Sequence, residues 1–176
     1  MNPGLIVLFV FLGILALFLI LIVMDVAFVF SFKRLFKTHL KAMVLFLNMK
    51  YDNIKKLMEF MRSNGVKIDP GMVAQINDIH REDFDDIEGK GCKNAQSVLT
   101  YIKEELLYIA RGLKDLRKHQ EFITAVENVS SLENQYRNTI ATYNADVLGY
   151  NYWISFWPTK WLWKLLKYQK KTLIMN

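Results

Sequence analysis

The chain has 176 residues, 52% of them hydrophobic, and a formal charge of +6, which leaves room for one domain plus an anchor. Its single cysteine, Cys92, excludes an intramolecular disulfide and a thiolate metal cluster and fits a reduced compartment. Basic ends flank an acidic middle, Asp78 to Glu88, which holds six acids against one arginine. That distribution favours a membrane surface and argues against nucleic acid, which calls for a basic patch within the folded domain.

Leu5 to Met24 is an unbroken run of 20 uncharged, almost wholly apolar residues, about the length that crosses ~30 Å of hydrocarbon. The preceding MNPG has no basic residue and no cleavage pattern follows, so a retained anchor is expected rather than a signal peptide. Lys33, Arg34, Lys37 and Lys41 follow the run, and the positive-inside rule then places the N-terminus outside and the rest in the cytoplasm. Asp25 is the one charge in the wider apolar stretch Leu5 to Phe32. Either this intramembrane charge is buried and favours helix association, or the span ends near Met24 and the carboxylate reaches the headgroups.

No proline or glycine interrupts Ile14 to Asn64, so the spanning helix is expected to continue into the cytoplasm. Leu40, Val44, Leu47, Tyr51, Ile54, Met58 and Met61 recur there at threes and fours, and Asn64-Gly65 stops the helix. Asp69-Pro70 starts a second helix expected to reach about Ile87. A third runs from about Asn94 to Leu116, with Ala95, Val98, Ile102, Leu106, Ile109, Leu113 and Leu116 in its stripe. From Gln120 to about Pro158, Phe122, Val129, Tyr136, Tyr143 and Tyr150 recur one heptad apart. Val126, Ile140, Val147 and Ile154 form a second row, broken at Glu133, so the two rows make one apolar seam. Short connections make neighbouring helices antiparallel.

Pro158 ends or kinks the seam helix. Beyond it, apolar residues oppose Lys160, Lys164, Lys167 and Lys171, while Trp153, Trp157, Trp161 and Trp163 fall within eleven positions. A basic amphipathic helix with tryptophans on one face lies in the headgroup region; alternatively the indoles cap the bundle's core or an oligomer contact. The fold expected is all-α: an N-terminal transmembrane helix continuing into an up-down antiparallel helical bundle, with a C-terminal amphipathic helix. The divisions are a short extracytoplasmic N-terminus (1–4), a transmembrane anchor (5–32), a cytoplasmic bundle (33–158) and a basic Trp-rich tail (159–176).

The stretch from Lys114 to Pro158 resembles the signature of the LemA family. Asp115 and Leu116 are followed at the matching distance by Phe122. Glu133-Asn134 precedes Tyr143-Asn144, Val147, Tyr150-Asn151, Ile154, Phe156 and Pro158. The chain departs from the family pattern at Trp157, which separates Phe156 from Pro158, and at Ile140, where arginine is common. The resemblance implies a membrane-anchored helical bundle with no established catalytic activity. Read physically, Tyr143 and Tyr150 place apolar bodies in the seam and hydroxyls at its edge. Asn144 and Asn151 sit one residue round, able to bond a neighbouring helix or loop or to floor a partner groove.

His80 to Glu88, HREDFDDIE, is the richest polar cluster, yet it matches neither H-E-x-x-H nor a calcium loop. It reads as a solvated acidic helix end. His39 and His119 are isolated, and no nucleophile elbow, P-loop or dinucleotide fingerprint occurs. No catalytic residue, cofactor or metal is expected. The expectation is a non-enzymatic, single-pass scaffold on the cytoplasmic face of a bacterial membrane, touching anionic headgroups and self-assembling through coiled-coil-like edges. Alternatives are an accessory subunit of a membrane protease or secretion complex, contacting another membrane protein, or a membrane-remodelling or permeabilising protein acting through the tail.

Overall fold

The computed structural model describes residues 3–87, 89–113, 115 and 118–174. Every regular element among them is helical: α1 (Pro3–Ser63), α2 (Pro70–Asn77), a short 3-10 turn (Arg81–Phe84), α3 (Lys90–Arg111), α4 (Gln120–Trp153) and α5 (Lys160–Leu165). Tertiary contacts gather the chain into two compact units, one made of Met1–Thr38 with Thr142–Met175, the other of His39–Ala141. Helices α1 and α4 contribute to both.

In the second unit, α1 runs up to Gly65, whose φ of 78° closes it. The Val66 N–H bonds the Met61 carbonyl and the Gly65 N–H bonds that of Arg62, a left-handed cap that glycine adopts without steric cost. Asp69 then caps α2 by accepting the Gly71 N–H at 3.0 Å. The chain returns along α1: Val73 and Ile76 share a cleft with Met58 and Arg62, and Arg81 pairs with Asp52. Helix α3 lies antiparallel to α4, because Gln96 meets Tyr136 while Lys103 meets Glu133. Lys50 likewise meets Glu133 as Phe60 meets His119, so α1 and α4 are antiparallel. The four segments run up, down, up, down.

The expected second helix is shorter than its apolar spacing suggests. It ends at Asn77, and the chain re-forms as the 3-10 turn, in which the His80 N–H bonds the Asp83 carboxylate at 3.1 Å. Asn77 and Asp78 carry short polar side chains that compete for backbone hydrogen bonds. The apolar positions still face inward, with Ile79, Phe84 and Ile87 buried. The third helix spans Lys90–Arg111, so Leu113 lies beyond its end, and Leu116 lies outside the described residues. The core of this unit draws Met43, Leu47, Ile54, Leu57 and Met61 from α1 and Ala95, Leu99, Ile102 and Leu106 from α3. From α4 come Phe122, Val129, Leu132 and Ile140.

Glu133, which interrupts the apolar seam, is held between two lysines. Lys50 Nζ lies 2.7 Å from Oε1 and Lys103 Nζ 2.6 Å from Oε2. Lys103 also pairs with Glu104 at 3.1 Å, and Lys50 donates to Thr100 at 3.1 Å. Burial lowers the Lys50 ammonium despite Glu133. For Lys103 burial acts downward too, but the bonds to Glu133 and Glu104 prevail and hold it above its ordinary value. Burial would raise Glu133, yet the two lysines hold its carboxyl below its ordinary value of 4.5. Nearby, Cys92 is buried, with its thiol pushed up by burial. The Tyr136 phenol, bonded by Gln96 at 2.6 Å, is pushed up by burial to about 12.

A carboxyl whose folded value is depressed stabilises fully above its unfolded pKa and loses that contribution as pH falls through the folded value. Glu133→Gln is therefore expected to unfold more easily at neutral pH by about 2 kcal/mol, with Lys50 left without a carboxylate and Lys103 left with Glu104 alone. Thermal unfolding followed by circular dichroism should then fall less steeply between about pH 5 and pH 3 than in the parent chain. Equal acid slopes would remove Glu133 from the acid response.

Candidate functional site

The first unit assembles its surface from two stretches distant in sequence, the start of α1 and the segment from Thr142 onward. Along α1, Leu5 to Met24 faces solvent almost all round, and packing begins at Asp25, Val29 and Phe36, which are buried. This helix is long and apolar enough to cross a membrane. Phe28 stacks on Trp153 with centroids 4.7 Å apart, and Phe36 packs against Tyr143 and Tyr150 at 5.5 and 5.4 Å. These pairs set α1 and α4 antiparallel here. Gly149 permits the close approach: a Cβ there would lie 2.7 Å from the Phe32 ring.

Helix α4 ends at Trp153, five residues before Pro158, and Ile154 continues its buried row. The Trp157–Pro158 peptide is cis. Short α5 then turns Trp163 inward. Trp163 is 1% exposed and Asp25 0%, and the indole Nε1–H donates to Asp25 Oδ2 at 2.7 Å. The other carboxylate oxygen, Oδ1, is buried without a partner among the described residues. Trp157 and Trp161 point outward, at 83% and 57% exposure, beside exposed Lys160 and Lys164. The four tryptophans thus divide, with Trp153 and Trp163 packed and Trp157 and Trp161 facing out.

After α5 the Tyr168 N–H bonds the Trp163 carbonyl and the Lys167 N–H that of Lys164. Lys167 has φ 57°, the left-handed position that glycine usually fills. This turn sends the chain back along α4 as an irregular strand. Asn151 donates from Nδ2 to the Lys171 carbonyl and accepts the Lys171 N–H at Oδ1, both at 2.9 Å. Asn144 repeats the arrangement on Ile174, again with both bonds at 2.9 Å. The Tyr150 hydroxyl donates to the Gln169 carbonyl at 3.2 Å, and burial pushes its phenol up, keeping it a donor. Lys171 Nζ sits 5.3 Å from the Phe36 ring centroid, and Lys33 Nζ lies 3.8 Å from that of Tyr168.

The motif residues fall into distinct roles. Tyr143, Val147, Tyr150 and Ile154 are buried packing, Phe122 is core of the second unit, and Phe156 is half-buried against Trp153. Asn144 and Asn151 clamp the carboxy-terminal strand. Glu133 anchors two lysines, Asn134 is exposed, and Asp115 pairs with Lys118 at 3.0 Å. Arg34, Lys37 and Lys41 are exposed. Sequence reasoning missed Phe28, Phe32 and Phe36, although their spacing of four marked one face running from the last turn of the expected anchor (5–32) into the segment after it. It also missed the strand from Gln169 to Ile174, which carries no periodicity.

A double-mutant cycle on Asp25→Ala and Trp163→Phe should show a coupling of about 1–3 kcal/mol in thermal unfolding of the detergent-solubilised chain. Purely additive costs would mean that the indole bond contributes nothing.

No curated protein and no solved structure matches the chain. The sequence model of the LemA family matches residues 40–175, taking in the Glu133 anchor, both asparagine clamps and the strand they hold. The chain belongs to the LemA family.

Proposed function

We propose that the protein is a non-enzymatic, single-pass scaffold that self-assembles on the cytoplasmic face of a bacterial membrane. The family is membrane-associated. The observation that carries the reading is the change in α1 at Asp25. Twenty lipid-compatible residues, about 30 Å of helix, end where Trp163 of α5 closes on that carboxylate. Helix α5 therefore stands at the end of the span, where exposed Trp157, Trp161, Lys160 and Lys164 meet headgroups. Lys33, Arg34 and Lys37 on the same side of the span support a cytoplasmic orientation.

The polar groups outside the membrane support a structural rather than a catalytic role. The Glu133 carboxylate is engaged by two ammonium groups, and the Asp83 carboxylate is bonded by the His80 N–H. The cleft around Lys50, Gln96, Lys103 and Tyr136 is floored by groups already bonded to one another.

Single-tryptophan variants in vesicles with headgroup-level brominated lipids test the interface. Trp157 and Trp161 fluorescence should be quenched and Trp163 fluorescence spared; equal quenching of all three would overturn the placement. Light scattering of the detergent-solubilised protein tests the assembly. A particle of several copies is expected, and a strict monomer at all concentrations would sink the scaffold reading.

A further inference from the structure

The asparagine pair is built to hold extended peptide, and its geometry is independent of which peptide supplies the amides. Asn144 and Asn151 are one heptad apart, about 10.5 Å along a helix. The residues they grip, Lys171 and Ile174, are three apart, about 9–10 Å in an extended threefold strand. The two rises agree, so each carboxamide meets both the N–H and the C=O of one residue on the same side of the strand. Lys171 over the Phe36 ring and buried Ile174 add a basic position and an apolar position three residues apart. What the groove reads is Lys-x-x-Ile in extended form.

We infer that this groove is a peptide-docking site whose trans occupant is the Lys171–Ile174 segment of a second copy, exchanged for the chain's own. Two observations and the proposed anchoring favour that occupant. The segment already fits, so an exchanged copy reproduces every bond. The strand from Gln169 to Ile174 has no regular structure of its own and hangs from one turn at Lys167, whose positive φ is unfavourable for a residue with a Cβ. Straightening that turn relieves the constraint when the segment leaves. Membrane anchoring then holds the grooves and tails of neighbouring copies at one height, which raises their effective concentration. The inference rests on the self-assembly reading and supplies its contact.

The test pairs two disabled full-membrane proteins. One ends at Tyr168 and keeps an empty groove; the other carries Asn144→Ala and Asn151→Ala and keeps a free tail. Differently tagged, they are co-expressed, extracted in detergent and captured through one tag. The mixed pair should be recovered about tenfold or more above either like-with-like pair, the loss expected when a carboxamide's two bonds are removed. If the shortened chain loses its helical circular dichroism, a full-length Lys171→Pro, Ile174→Pro variant replaces it, since proline has no N–H to give the asparagines. Equal capture in all three pairings would overturn tail exchange while leaving self-assembly standing. No capture in any pairing, with a monomeric parent chain, would overturn both.

Discussion

A helix leaving a bilayer must exchange a surface that is apolar all round for one packed on a single side, and its backbone cannot pause to make the change. In the placement proposed for this chain, the exchange happens at Asp25. Up to Met24 the side chains of α1 face outward, and from Asp25 onward one face is covered by α4 and α5. A carboxylate at that point is costly unless a donor meets it, and the Trp163 indole is that donor. The bond ties the end of the apolar run to α5, and from α5 follow the turn at Lys167 and the strand along α4. Losing it would leave a buried carboxylate uncompensated beside a buried indole.

The two units handle buried polarity by different means. In the second, charge is neutralised locally: Glu133 lies between Lys50 and Lys103, with Glu104 completing the balance. In the first, beside Asp25, asparagine carboxamides and a tyrosine hydroxyl bond main-chain amides and carbonyls. Charged clusters fix one partner each by geometry and sign. Neutral clamps on backbone fix a spacing and leave the identity of the partner chain open, which suits a site whose occupant can be exchanged.

Much of this was legible in the sequence, and the rest was hidden for identifiable reasons. The heptad rows of α4, the stop at Gly65 and the start at Asp69-Pro70 are local signals, and all describe the structure. The overlong second helix arose because Ile79, Phe84 and Ile87 fit helical spacing while also fitting a turn that faces the same core. Glu133 read as a gap in the seam because its lysines lie 83 and 30 positions away in the chain. The tryptophans all carried one compositional signal, and only the fold separates Trp163, which turns to Asp25 across 138 positions, from Trp157 and Trp161. The asparagines read as groups seeking a helix or loop. Their partner was invisible because main-chain amides leave no mark in a sequence.

That last property has a consequence for how the tail can vary. Between the two gripped residues, Thr172 and Leu173 have no main-chain bond to either asparagine, and both side chains are exposed, so almost any residue serves there. Lys171 and Ile174 must each offer an N–H, which bars proline at both grips. Length is far less forgiving than composition. Removing a residue between the grips would shorten the reach by about 3 Å and pull a carboxamide away from its amide. Across related chains the tail should therefore drift in spelling while keeping its metre.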